Sequence, residues 1–66
     1  MFTPQTTVAW VVGKNAFLGQ FIEGNEQVSI VLVTSQSKGR KFEGKRVAIA
    51  TYALGEVVNG KAIVTG

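Results

Sequence analysis

Ala16-Phe17-Leu18-Gly19-Gln20-Phe21-Ile22-Glu23-Gly24-Asn25-Glu26-Gln27-Val28-Ser29-Ile30-Val31-Leu32-Val33-Thr34-Ser35 is the stretch that decides the fold. Residues 16–23 read as a strand. Gly24 and Asn25 both tolerate positive φ and form a turn signal. Residues 27–35 are the strongest strand, with Val28, Ile30, Leu32 and Thr34 on one face and Ser29, Val31, Val33 and Ser35 on the other. Both faces are partly apolar, so this strand is expected to be central or covered twice. Upstream, residues 8–12 are β-branched and aromatic, and Gly13 ends them. A short turn is expected within 2–7, near Pro4. Downstream, 36–44 is a polar glycine-containing loop and 45–53 a fourth strand. Val57-Val58-Asn59-Gly60-Lys61-Ala62-Ile63 is a hairpin signature, because Asn-Gly suits a type I′ turn. No stretch keeps a helical period over ten residues. The expected fold is all-β with five to six short antiparallel strands. A chain of 66 residues is too short for a two-sheet sandwich, so a small, strongly bent barrel is the natural closure.

The same length allows one domain, 1–66, at about 100–200 residues per domain. Domains this small bury little of their surface and usually need a disulfide, a metal or a partner subunit. The chain has no cysteine, histidine or aspartate, and its acids are four glutamates. That excludes a disulfide and a structural zinc site, so oligomerisation is the staple that remains. Hydrophobic residues make up 45% and charged residues 17%, against about 25% charged in ordinary domains. The excess points to burial beyond one subunit's core. No apolar run approaches the ~20 residues of a membrane span. Met1-Phe2-Thr3-Pro4-Gln5 has neither a basic nor an apolar leader pattern, so a cytoplasmic location is expected. The net charge of +3 is concentrated. Lys38, Arg40, Lys41, Lys45 and Arg46, opposed by Glu43, give +4; Lys14 and Lys61 against Glu23, Glu26 and Glu56 give −1.

Catalytic constellations are nearly absent. Without His, Cys or Asp there is no nucleophilic triad, no Cys-His pair and no imidazole base. Glu23 and Glu26 flank one turn and read as solvated turn residues. No enzyme activity, cofactor or metal is expected. Residues 39–46 come close to the phosphate-binding pattern G-x-x-x-x-G-K-[ST], but Arg46 stands where the hydroxyl is needed and a strand follows instead of a helix. The cations themselves can contact phosphates and release counterions, or they can simply keep a loop solvated. Trp10, Phe17 and Phe21 read as core. Phe42, inside the basic loop, and Tyr52, at a strand end, are the candidate stacking aromatics.

Phe17-Leu18-Gly19-Gln20-Phe21 supplies an aromatic, a glycine and a large apolar residue at a spacing found in a known signature. Asn25 stands where that signature has an aspartate, Val28 at its next apolar position, Ser29 at its asparagine and Leu32 at its closing apolar position. Ile49-Ala50-Thr51 and then Leu54 match a second signature, apolar-Arg-Gly followed by an apolar position, in spacing and hydrophobicity only. Over residues 8–54 the sequence resembles the Sm/Lsm family of RNA-associated small barrels. The resemblance implies an Sm-like barrel that joins edge to edge into a homo-oligomeric ring, the fourth strand of one subunit pairing with the fifth of the next. It also implies single-stranded RNA as partner. The base-pocket positions it assigns are Asn25, Gln27, Ser29, Ala50 and Thr51, which lack the aromatic and cationic groups that stack on a base. Strand 45–53, with Val47, Ile49 and Ala53 on one face and Ala48, Ala50 and Tyr52 on the other, suits an interface. A ring closes such a head-to-tail contact.

Two functions from different classes follow. One is an RNA-binding ring that uses Lys38, Arg40, Lys41, Lys45 and Arg46 for phosphates and Phe42 or Tyr52 for stacking. The other is a structural or protein-interaction ring without a base pocket. A monomeric SH3-like adaptor is a third reading, separated from both by the mass in solution.

Overall fold

The computed structural model describes residues 3–64. Met1 and Phe2, where the expected N-terminal turn begins, lie outside the described residues. Six strands follow in chain order: β1 Thr7–Val12, β2 Asn15–Gly24, β3 Val28–Gln36, β4 Arg46–Ala50, β5 Gly55–Val58 and β6 Lys61–Val64. They form one antiparallel sheet in the order β4-β3-β2-β1-β5-β6. The all-β expectation therefore holds. Among the described residues no helix is long and apolar enough to cross a membrane.

The turns follow from local chemistry. Gly13, at φ +61°, opens the two-residue β1–β2 loop, with Val12 opposite Asn15. Asn59 and Gly60, at φ +53° and +79°, carry the β5–β6 turn with Val58 opposite Lys61. Positive φ at both central residues is the type I′ requirement. Upstream of β1, the Thr6 N–H donates to the Thr3 carbonyl at 3.1 Å, closing a turn around Pro4.

Alternation places the core. Val8 and Trp10 of β1, Phe17 and Phe21 of β2, Val31 and Val33 of β3, and Leu54 are buried; Val47 and Ile49 of β4 pack against them. Trp10 and Phe17 are cross-strand partners with stacked rings 5.4 Å apart, an arrangement worth about 0.5–1.5 kcal/mol beyond its area. Two irregularities bend the sheet. Register shifts between Leu18 and Gly19 and between Phe21 and Glu23 leave Thr34 and Ile22 without Cα partners, and bulges of this kind sharpen local twist. The Thr34 hydroxyl donates to the Leu18 carbonyl at 3.2 Å. Gly19 lies at the tightest point: a Cβ there would stand 2.6 Å from both the Leu32 carbonyl oxygen and Val31 Cγ1, and 3.2 Å from the Trp10 ring. A side chain would push β2 away from β3 and from the indole.

Two expectations are corrected. The sheet is not closed into a barrel. β1 meets β5 at only Val8 and Ala9, and β4 and β6 are the two ends of the strand order. Strand 45–53 is shorter than expected, because Thr51–Ala53 form a 3-10 turn. The Thr51 N–H donates to the Gln27 carbonyl at 3.1 Å and the Leu54 N–H to the Thr51 carbonyl at 3.1 Å. This turns the chain so that Leu54 enters the core, and Ala53 is exposed instead of sharing a face with Val47 and Ile49. β3 is central, one of the two arrangements expected for it, pairing with β2 on one side and β4 on the other; Ser29, Val31 and Val33 are buried, Ile30 and Leu32 are half-buried, and Val28 is exposed.

Candidate nucleic-acid interface

The basic loop between β3 and β4 has a built backbone. Asn15 Oδ1 accepts from the Ser37 hydroxyl at 3.0 Å and from the Lys38 N–H at 3.1 Å, while Asn15 Nδ2 donates to the Lys38 carbonyl at 3.3 Å. The Ala16 N–H donates to Ser37 Oγ at 2.9 Å, and the Ser37 N–H to the Ala16 carbonyl at 2.8 Å. Gln36 spans the loop: Nε2 donates to the Lys38 carbonyl, and Oε1 accepts from the Phe42 N–H at 2.9 Å. Gly39 and Gly44 hold φ of +71° and +80°, values that L side chains adopt only with strain. The Gly44 N–H donates to the Val33 carbonyl at 2.8 Å, and the Val33 N–H to the Lys45 carbonyl at 2.9 Å. β4 starts directly after Lys45. A strand therefore follows the loop, as the sequence led one to expect.

Lys38, Arg40, Lys41 and Lys45 of the loop and Arg46, the first residue of β4, are all exposed, so five cations project from the framed loop and the strand start beside it. Phe42 is fixed differently. Its ring meets Phe17 edge-on at 6.0 Å, and Lys41 Nζ lies 5.6 Å from its centroid. Phe42 therefore extends the core while keeping part of its surface wet.

The residues assigned as a base pocket do gather, but at the other end of β3. Asn25 Oδ1 accepts from the Gln27 N–H at 2.8 Å and the Val28 N–H at 3.0 Å. The Thr51 hydroxyl donates to the Asn25 carbonyl at 2.7 Å, and Ser29 Oγ lies 2.6 Å from Thr51 Oγ1. Since the Thr51 hydrogen is committed to a carbonyl, Ser29 is the donor in that pair. Ala50 lies opposite Val28. Ser29 is fully buried. Asn25 Oδ1 and the Ser29 and Thr51 hydroxyls are thus spent on bonds within this cluster and on holding the β2–β3 turn. Tyr52, 74% exposed, stands beside this cluster in the 3-10 turn and not beside Phe42. From Ser29 to Gln36 the two regions are separated by roughly 23 Å of strand. The proposed RNA-contacting residues thus form one cluster around Phe42 and a separate tyrosine.

Sequence reasoning missed the frame of the loop and the cleft beneath it. The frame depends on Asn15, which stands 23 positions from Lys38, so no local pattern signals it. The cleft, of about 160 Å³, is bordered by Trp10 and Val12 of β1, Phe17 of β2, Val47 and Ile49 of β4, and Phe42. Its signal was present in part: Val12 continues the inward alternation of Val8 and Trp10, yet it is 59% exposed. Comparison with known protein families, characterised proteins and solved structures gives no match.

Proposed function

We propose that the chain is an Sm-like, ring-forming module that binds single-stranded RNA through the phosphates, with the basic loop as its contact surface. The observation that carries this reading is five exposed cations, four on a loop whose backbone is fixed by Asn15, Gln36 and two positive-φ glycines and the fifth, Arg46, at the start of β4 beside it. A framed loop loses little conformational freedom when a strand of phosphates settles on it, so the electrostatic gain is not cancelled by ordering. A ring would repeat the loop around one face, and the fields of the copies would add. Sequence preference is expected to be weak, because the Ser29 and Thr51 hydroxyls are already bonded within the chain and Ala50 carries no polar side chain.

The test is titration of oligo-U and oligo-A across a salt series. Five phosphate contacts per subunit predict a log–log slope of about −3.5 for each subunit that a single strand engages. Lys38→Ala, Arg40→Ala and Lys41→Ala together should abolish binding and leave the mass in solution unchanged. No binding of either oligonucleotide at ~50 mM salt, where such contacts are strong, refutes the RNA reading.

One observation favours the second reading, a protein-interaction ring. Ser29 and Thr51 are closed into an internal hydrogen-bond chain that presents no free group to a base. Under that reading the assembly persists while the lysine and arginine substitutions have no nucleic-acid phenotype to remove.

A further inference from the structure

The apolar cleft beside the basic loop lies next to a free stretch of sheet edge. Phe21 exchanges hydrogen bonds with residues 5 and 6: its N–H donates to the Thr6 carbonyl, and its carbonyl accepts from the Gln5 N–H. With the registered pairs Val8↔Gly19, Trp10↔Phe17 and Val12↔Asn15, the antiparallel alternation makes those three the hydrogen-bonded pairs. The N–H and C=O groups of Ala9 and Val11 therefore point to the opposite edge of β1. Ala9 finds Gly55 there. β5 goes no further in that direction, so among the described residues Val11 has no strand partner on that side.

Three properties meet at this place. The edge at Val11 offers one donor and one acceptor to an incoming strand. The cleft that Trp10 and Val12 border on the inner face is almost wholly apolar. An apolar cavity of about 150 Å³ is large enough to admit a benzene ring, and this cleft is of that size. The third property is charge: Lys41 precedes and Glu43 follows the cleft residue Phe42, Lys45 and Arg46 lead into Val47, and all four are exposed, so the rim is net positive with three cations against one carboxylate.

We propose that this edge and cleft form a docking site for an extended acidic peptide. It would add as a short strand against Val11, seat one phenylalanine or leucine in the cleft, and place its flanking carboxylates against Lys41, Lys45 and Arg46. Strand addition supplies main-chain bonds, and the pocket under alternate side chains supplies selectivity. The lining decides between this partner and a nucleobase. A base carries donors and acceptors on its edges, and burying them against carbon leaves them unsatisfied. A phenyl or isobutyl group has none. The site goes beyond the RNA reading but shares its cations, so phosphates and carboxylates compete for them.

The experiment uses the full chain and a short fluorescein-labelled peptide in which one phenylalanine sits between two valines, with two glutamates on either side. Binding is read by anisotropy, and seating in the cleft by Trp10 emission and by protection of the Val11 amide. The expected result is binding that weakens by about tenfold or more when the phenylalanine becomes alanine, as for a buried anchor. It also weakens when lysines replace the glutamates, and it is lost in Val12→Glu. Val12 is mostly exposed, so that variant should keep the wild-type circular dichroism; Val12→Ala gives a milder second variant. Equal affinity for the alanine peptide, or an unprotected Val11 amide at saturation, overturns the proposal. Two other outcomes also overturn it. If Val12→Glu lowers the mass in solution, the cleft belongs to a contact between copies. If oligo-U binding, but not peptide binding, responds to Val12→Glu, the occupant is nucleic acid. Failure of the peptide with retained salt-dependent oligo-U binding leaves the RNA reading intact, and the converse removes only that reading.

Discussion

Ser29 and Thr51 show how a polar pair can be buried at little cost. Ser29 is completely buried, yet its hydroxyl has a partner at 2.6 Å. Thr51 passes its own hydrogen to the Asn25 carbonyl at 2.7 Å. The direction of donation makes the two positions unequal. In Ser29→Ala the Thr51 hydroxyl still donates to Asn25, so the loss should be about 1 kcal/mol, the net value of one hydrogen bond. In Thr51→Val both the Ser29 hydroxyl and the Asn25 carbonyl lose their partner. Leaving a buried polar group unpaired costs about 1–3 kcal/mol, so Thr51→Val should be the more destabilising variant. Urea unfolding of both variants measures this; equal midpoints would mean the hydroxyl chain is not arranged as described. The sequence makes the burial of Val31 and Val33 legible, because alternation places them with Ser29. It does not reveal that Thr51 completes Ser29, since the partners lie 22 positions apart.

Elements were legible where their signal is local. The Asn59-Gly60 turn, the Gly13 turn and the alternation of β3 each follow from residues within a few positions of one another. Failures occurred where distant contacts override a local pattern. Ala50-Thr51-Tyr52-Ala53 reads as strand by composition, but the Gln27 and Asn25 carbonyls capture Thr51 and convert it into a 3-10 turn. The basic loop is the opposite case. Its composition suggests a solvated, mobile segment, while Asn15 makes three hydrogen bonds to it. Asn15→Ala removes all three and touches no cation. Exposed bonds contribute modestly, so global stability should fall by only about 1–2 kcal/mol. The specific effect should be local: faster amide exchange at Lys38 and its neighbours, and weaker oligo-U binding with an unchanged salt slope. Hydrogen exchange and titration read these separately. Unchanged exchange at Lys38 would mean that Gln36 and the glycines hold the loop alone.

At the scale of the whole molecule, the barrel expected from length and bending is left open at β4 and β6, and an open edge is a template for another strand. The hydrogen-bonding parity of β4 states which of its groups are offered. The Val33 N–H donates to the Lys45 carbonyl, and the register Val31↔Val47 and Ser29↔Ile49 continues that hydrogen-bonded set by alternation. Arg46, Ala48 and Ala50 therefore turn their N–H groups outward, away from β3. A proline at position 48 removes an outward donor without deleting a bond inside the subunit, and edge strands tolerate proline at such positions. Assembly through this edge predicts a wild-type mass several times the 7.0 kDa of one chain, falling to a single chain in Ala48→Pro with the β circular dichroism retained. Ala48→Val, which keeps the N–H, should assemble like the wild type and separates loss of the donor from a change of side chain. A wild-type mass of one chain in light scattering would remove the ring from both leading readings and favour the SH3-like adaptor. The basic loop would then have to bind RNA without its field being repeated by neighbours, and the salt slope would report the contacts of one subunit alone.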